Sequence, residues 1–213
     1  MCRKIADKTQ HIVVSVDYRL APEHPYPAGL TDAYCTAEHL WGLLEKHTIK
    51  TTRHLTIAGD SGGGAMAATI TQIATEQKAF SINRQVLIYP SLDYTMSQPS
   101  LEENGHGYLL TRETVTWYFD HYFKHQENRE HASPLWLPID SNYPSTLLLT
   151  AEFCPLRDEG FAFVEKLKHA HVQCAHVHFE DMIHAFMNME DLTPKACEKL
   201  YSSIADFVVK GTS

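Results

Sequence analysis

Ser61 lies in Gly59-Asp60-Ser61-Gly62-Gly63, a serine flanked by residues small enough for a sharp turn. The run before it, His54–Gly59 (HLTIAG), reads as a buried strand, and the small-residue run Gly62–Glu76 as a helix. A serine raised on such a turn sits at a helix N-terminus, where developing negative charge is favoured. The chemistry on offer is nucleophilic attack on a carbonyl carbon, with the backbone N–H of Gly62 as a donor to the resulting oxyanion. A capping serine on a plain glycine-rich turn would use the same residue types but would leave the serine without a base. A phosphate-binding loop would need GxxxxGK[ST], which is absent.

A serine nucleophile on a strand-to-helix turn takes its base from a histidine after the last strand, with an acid between them in the chain. His184, in Met182-Ile183-His184-Ala185-Phe186, stands just past the last expected strand. The acid is expected in Ala151–Gly160, after the strand that precedes it.

The elements that must position these residues alternate. His11–Asp17 (HIVVSVD), His54–Gly59, Gln85–Pro90, Thr146–Ala151 and Val172–Phe179 are apolar runs of strand length. Ala28–Lys46, Gly62–Glu76, Asp158–His169 and Thr193–Lys210 carry helical patterns between or after them. Repeated β-α-β units with apolar strands mean an α/β fold, with a mostly parallel sheet covered by helices on both faces. We expect a single domain over 1–213. Its segment 93–143 is too long for a plain connection and reads as a small cap-like insertion. Within it Thr111–Lys124 reads as a helix with Thr111 as N-cap and Trp117, Tyr118 and Phe119 as apolar ballast. Phe80, Trp117 and Tyr118 are candidates to line an acyl pocket, with core packing the simpler reading.

Composition narrows the function classes. The net charge of -8 offers no basic stripe for nucleic acid or an anionic membrane, and no apolar run reaches the length of a membrane span. Five scattered cysteines with no CxxC pair read as reduced thiols, which implies a cytoplasmic setting. Fourteen histidines raise the question of a metal. His121 with His125, and His176 with His178, have suitable spacing, but no further ligand completes either pair, so no metal is expected.

Tyr18-Arg19-Leu20-Ala21-Pro22-Glu23, with Pro25, Pro27 and Asp32, resembles the signature of the hormone-sensitive-lipase-like group of α/β hydrolases, which includes bacterial family IV esterases and arylacetamide deacetylase. Gly59–Gly63, Ser133-Pro134-Leu135, Pro155–Gly160 and His184-Ala185-Phe186 follow in that group's order. The resemblance implies an α/β-hydrolase fold and hydrolysis of short-chain acyl or aryl esters without a cofactor. It makes Ser61 the nucleophile and His184 the general base. The prolines fix a loop's path, and Arg19 with Glu23 is expected as a buried brace. The group's acid stands where this chain has Cys154, a weak acceptor that is mostly neutral. Asp158, Glu152 and Glu180 are near enough in sequence to substitute in part. The group's His-Gly-Gly-Gly loop, a source of oxyanion donors, does not occur, and the chain starts at what resembles the middle of the following helix. The early strands are therefore expected to be missing, leaving a sheet edge that invites association of copies. Glycines are common in the group where Asp181 and Ala185 stand. Beside an ester hydrolase, these departures raise a second expectation: a catalytically impaired, ligand-binding or truncated relative.

Overall fold

The computed structural model describes residues 1–210. Helix α1 (Cys2–Thr9) is followed by an irregular stretch, then α2 (Ala28–Glu38) and α3 (Leu40–Lys46). Strand β1 (Thr56–Asp60) leads through Ser61 into α4 (Gly62–Gln77) and then β2 (Arg84–Ile88). The connection to β3 (Ser145–Phe153) holds α5 (Ser100–Glu103), α6 (Arg112–Tyr122) and α7 (Arg129–Ala132). Helix α8 (Arg157–His169), strand β4 (Cys174–Ile183), a 3-10 turn (Phe186–Asn188), helix α9 (Pro194–Ala205) and a π-helical turn (Asp206–Lys210) complete it.

All pairings in the sheet are parallel and its order is β1-β2-β3-β4. Asp60 is in register with Ile88, and Ile88 with Leu149, so the loops after the first three strands emerge at one edge. Successive side chains point to opposite faces of a strand. Val86, Ile88, Leu147 and Leu149 accordingly pack with Cys197, Leu200, Tyr201 and Ile204 of α9. Leu87 and Leu148 face the other way, against Ala67 and Ala68 of α4 and Phe163, Val164 and Leu167 of α8. Both faces are thereby covered, as continuous apolar strands require.

Two expectations about elements are corrected. His11–Asp17 forms no strand, although its composition suits one. Across from it lies β1, separated by a cavity of about 880 Å³, and a strand needs a neighbour's N–H and C=O groups. The helical pattern over Ala28–Lys46 is broken at His39, which leaves two shorter helices.

Side chains also depart from expectation. Arg19 braces Asp32, with its Nε and Nη2 at 2.8 and 2.7 Å from the two carboxylate oxygens, and not Glu23. This pair is half-exposed, and the guanidinium holds the Asp32 carboxyl down at about 2. Thr111 does cap α6, accepting the Thr114 N–H at 3.2 Å. Phe119 of that helix is buried, whereas Trp117 and Tyr118 are more than half exposed. Phe80 packs edge-on against Tyr34. Trp117 packs with Tyr118 and His121, and among the described residues none of Phe80, Trp117 and Tyr118 makes a ring contact with His184.

Candidate active site

Ser61 occupies the left-handed side of backbone space, at φ 52°, ψ −121°. Strain of this kind costs about 1–3 kcal/mol and persists only where the surroundings impose it. The Ser61 N–H donates to Ile88 O, and its carbonyl accepts from Ala65 and Ser91 N–H, so the turn is tied to the next strand and to α4. A Cβ on Gly59 would stand 2.1 Å from Gly63 O, and one on Gly64 would stand 2.8 Å from Pro90 Cβ. Those two glycines are sterically demanded. Gly62 and Gly63 have open space around them, so small size at these positions is not required by packing.

The Ser61 hydroxyl does not cap the helix it begins. Its Oγ lies 3.0 Å from His184 Nε2. The N–H of Gly62, first in α4, is one of those a helix leaves without an internal acceptor.

His184 follows β4 directly and is buried. The edge of the Tyr89 ring stands against its imidazole, with centroids 4.8 Å apart. Burial lowers its pKa to about 4, so the ring is neutral near pH 7. Its Nδ1 lies 3.1 Å from Cys154 Sγ. The three sequence candidates therefore form one chain of contacts from hydroxyl to imidazole to thiol.

Cys154 is fully buried, and burial pushes its thiol well above the usual range. The sulfur also accepts the Leu156 N–H at 3.3 Å. The carboxylates expected to substitute are engaged elsewhere. Asp158 pairs with Arg157 and accepts the Ser100 N–H. Glu152 binds Arg157 and His178, and Glu180 is exposed on β4. Arg157 also reaches Glu103, so one guanidinium ties the loop bearing Cys154 to α5. Asn104 adds hydrogen bonds to the carbonyls of Glu152 and Cys154.

Sequence reasoning missed three contributors. Tyr89 walls His184 with a hydroxyl that is buried and unpartnered among the described residues. Leu156 acts through its backbone, which no side-chain pattern can announce. Glu159 is fully buried and accepts the N–H groups of Leu92 and Asp93, which fixes the loop after β2. Among the described residues no group of three His, Cys, Asp or Glu side chains could hold a metal ion. His176 and His178 instead share the Thr150 hydroxyl, each at 2.8 Å.

With this geometry in place, comparison with known proteins is direct. The family model for the α/β-hydrolase fold matches residues 1–188. The chain is 32% identical to the ethyl acetate hydrolase of Pseudomonas putida, over 94% of its own length and 64% of the relative's. It is 32% identical to arylacetamide deacetylase-like 2 of Homo sapiens, covering 87% of this chain and 61% of that protein. Among solved structures, the ester hydrolase EH1AB1 from the metagenome of Lake Arreo superposes with a TM-score of 0.90 at 32% identity, covering 98% of this chain and 66% of that one. The chain thus spans a little under two thirds of these curated relatives. It belongs to the α/β hydrolases, in their hormone-sensitive-lipase-like group.

Proposed function

We propose that this chain hydrolyses carboxylic esters through an acyl-enzyme on Ser61. The observation that carries the reading is the 3.0 Å contact between Ser61 Oγ and His184 Nε2 on a strained turn at the head of α4. Ester hydrolysis by the named relatives, including one on ethyl acetate, supports the reaction class.

Ser61 Oγ attacks the ester carbonyl carbon while its proton passes to His184 Nε2. The carbonyl oxygen takes up negative charge and is met by the Gly62 N–H and the positive end of α4. The C–O bond to the alcohol breaks, and the imidazolium returns the proton to the leaving oxygen. Water, deprotonated by the same ring, then releases the acid and restores Ser61.

For Nε2 to accept, Nδ1 must carry the proton and donate it toward Cys154. A neutral thiol accepts weakly and supplies no charge for the imidazolium, so turnover is slower than a carboxylate would permit. Short-chain acyl and aryl esters are the substrates we assign, on the strength of the group's resemblance. Five free cysteines support a reducing, cytoplasmic setting. Among the described residues no helix is long and apolar enough to cross a membrane.

The test is hydrolysis of p-nitrophenyl butyrate by this chain beside its Ser61→Ala variant. The expected result is a measurable rate that falls to the uncatalysed level in the variant. Equal rates in two folded proteins would sink the esterase reading.

A further inference from the structure

The contact that should orient His184 is a weak one. A carboxylate in the acid's place holds an imidazole's tautomer and direction, whereas Cys154 offers a neutral thiol at 3.1 Å. The strands that carry the two residues are no firmer at that end. Ala151 of β3 lies in register with Phe179 of β4, and Phe153 with Ile183, so β3 advances by two residues while β4 advances by four. Irregular pairing of this kind bends a strand and re-aims the side chains near it. Cys154 and His184 each stand one residue past that irregularity.

A strut spans the two strands there. His178 Nε2 donates to Glu152 Oε2 at 2.6 Å, a charge-assisted bond of the stronger kind. The other carboxylate oxygen accepts from Arg157 at 3.1 Å, and that guanidinium runs on to Asp158 and Glu103. Glu152 thus links β4 to the start of α8 across the loop that holds Cys154. With both oxygens engaged, it has a task other than standing in for the absent acid.

His178 is itself fixed. The Thr150 hydroxyl lies 2.8 Å from its Nδ1 and 2.8 Å from His176 Nε2. A hydroxyl has one hydrogen to give. With the His178 proton on Nε2, Thr150 donates to Nδ1 and accepts from His176 Nε2–H, the one arrangement of neutral rings that satisfies every contact. Phe161 of α8 stands edge-on to both rings, with centroids 5.5 and 5.3 Å away. Thr150 also presses on α8, where a Cβ on Gly160 would stand 2.7 Å from its methyl carbon.

We propose that Glu152 and His178 are positioning residues for the hydrolysis: their bond sets the offset of β3 against β4, and thereby the direction of the His184 imidazole. The role rests on the reading of Ser61 and His184 as nucleophile and base. A misplacement of about 1 Å at a reacting group can cost roughly a hundredfold in rate. A strut two residues before Cys154 therefore has leverage on turnover without touching substrate.

The test breaks the strut from either end, with His178→Phe, which keeps a ring against Phe161, and with Glu152→Ala. Each is made in the unaltered chain and in Cys154→Asp, whose carboxylate would orient His184 by itself. In the unaltered chain either change should lower kcat on p-nitrophenyl butyrate by about tenfold or more, with KM within about twofold and no further loss from both together. In Cys154→Asp the loss should shrink to less than about threefold. A strut that only stabilised the fold would lower kcat alike in both backgrounds; that outcome overturns the proposal, and so does an unchanged kcat. Hydrogen–deuterium exchange adds a readout that needs no turnover. In chains carrying Ser61→Ala, either change should speed exchange at the Leu156 amide, which donates to Cys154 Sγ, by about tenfold relative to β2. No such speeding overturns the proposal whatever the esterase result. Speeding in a chain that lacks Ser61-dependent turnover supports the strut and sinks the esterase reading alone.

Discussion

His184 meets an uncharged group at each ring nitrogen, a hydroxyl at Nε2 and a thiol at Nδ1. The thiol's site is already furnished for a carboxylate, since the Leu156 N–H points at Sγ. Cys154→Asp is therefore expected to raise kcat on p-nitrophenyl butyrate by up to about 10⁴-fold, the factor lost when the acid's charge is removed from a serine triad. KM should change little, and the acid limb of the pH–rate profile should move up from near pH 4, because a carboxylate favours the imidazolium. No gain in a folded variant would mean that the thiol is not what limits the rate. Ala185 offers a second residue-scale test. It sits at φ 61°, ψ 20°, a left-handed conformation that costs a residue with a Cβ about 1–2 kcal/mol. Ala185→Gly should thus stabilise the chain by up to about 1 kcal/mol after the entropy of the unfolded glycine is counted, read from urea unfolding. Ser61, His184 and the Cys154 position were legible because motif order survives in a linear string. The Tyr89 wall and the Leu156 N–H were not, because one is a ring edge reached across the sheet and the other is backbone.

The unit that carries Ser61 is a strand and a helix pressed together at a glycine. Gly59→Ala would drive a methyl group into the Gly63 carbonyl, so we expect a loss of about 3 kcal/mol, near the upper end of overpacking costs. Gly62→Ala meets no atom within 4 Å and should change stability by less than about 1 kcal/mol. Parallel thermal melts of the two variants separate steric demand from mere resemblance to a motif. Most elements could be read from period and length, with boundaries shifted by one or a few residues. Two could not. The break at His39 interrupts a stretch whose composition stays helical on both sides, and segment 11–17 has strand composition but no hydrogen-bonding neighbour. In each case the deciding information lies in tertiary surroundings, which local propensity does not contain.

Across the whole molecule, burial of a neutral imidazole links stability to pH. Because the folded-state pKa of His184 is lowered, to about 4, the unfolded chain gains a proton below pH 6.5 that the folded chain resists. Above pH 6.5 this group imposes no penalty. Between pH 6.5 and 4 it should remove up to about 3 kcal/mol. Urea midpoints at pH 7 and pH 4.5 should converge in His184→Gln relative to the unaltered chain, and an unchanged gap would reject the linkage.

The order of the sheet also has a consequence in time. Because β1 to β4 pair in the order they occur, each strand finds its neighbour as soon as it is made. Helix α1 is the exception. Ile5 packs into the large cluster, and Lys8 pairs with Glu198 of α9, near the far end of the chain. At roughly 5–20 residues per second, synthesis leaves α1 without that partner for about 10–40 s. During each round of translation α1 is made well before the helix it is seated against, and its apolar side is what a growing chain shows to the ribosome's surroundings.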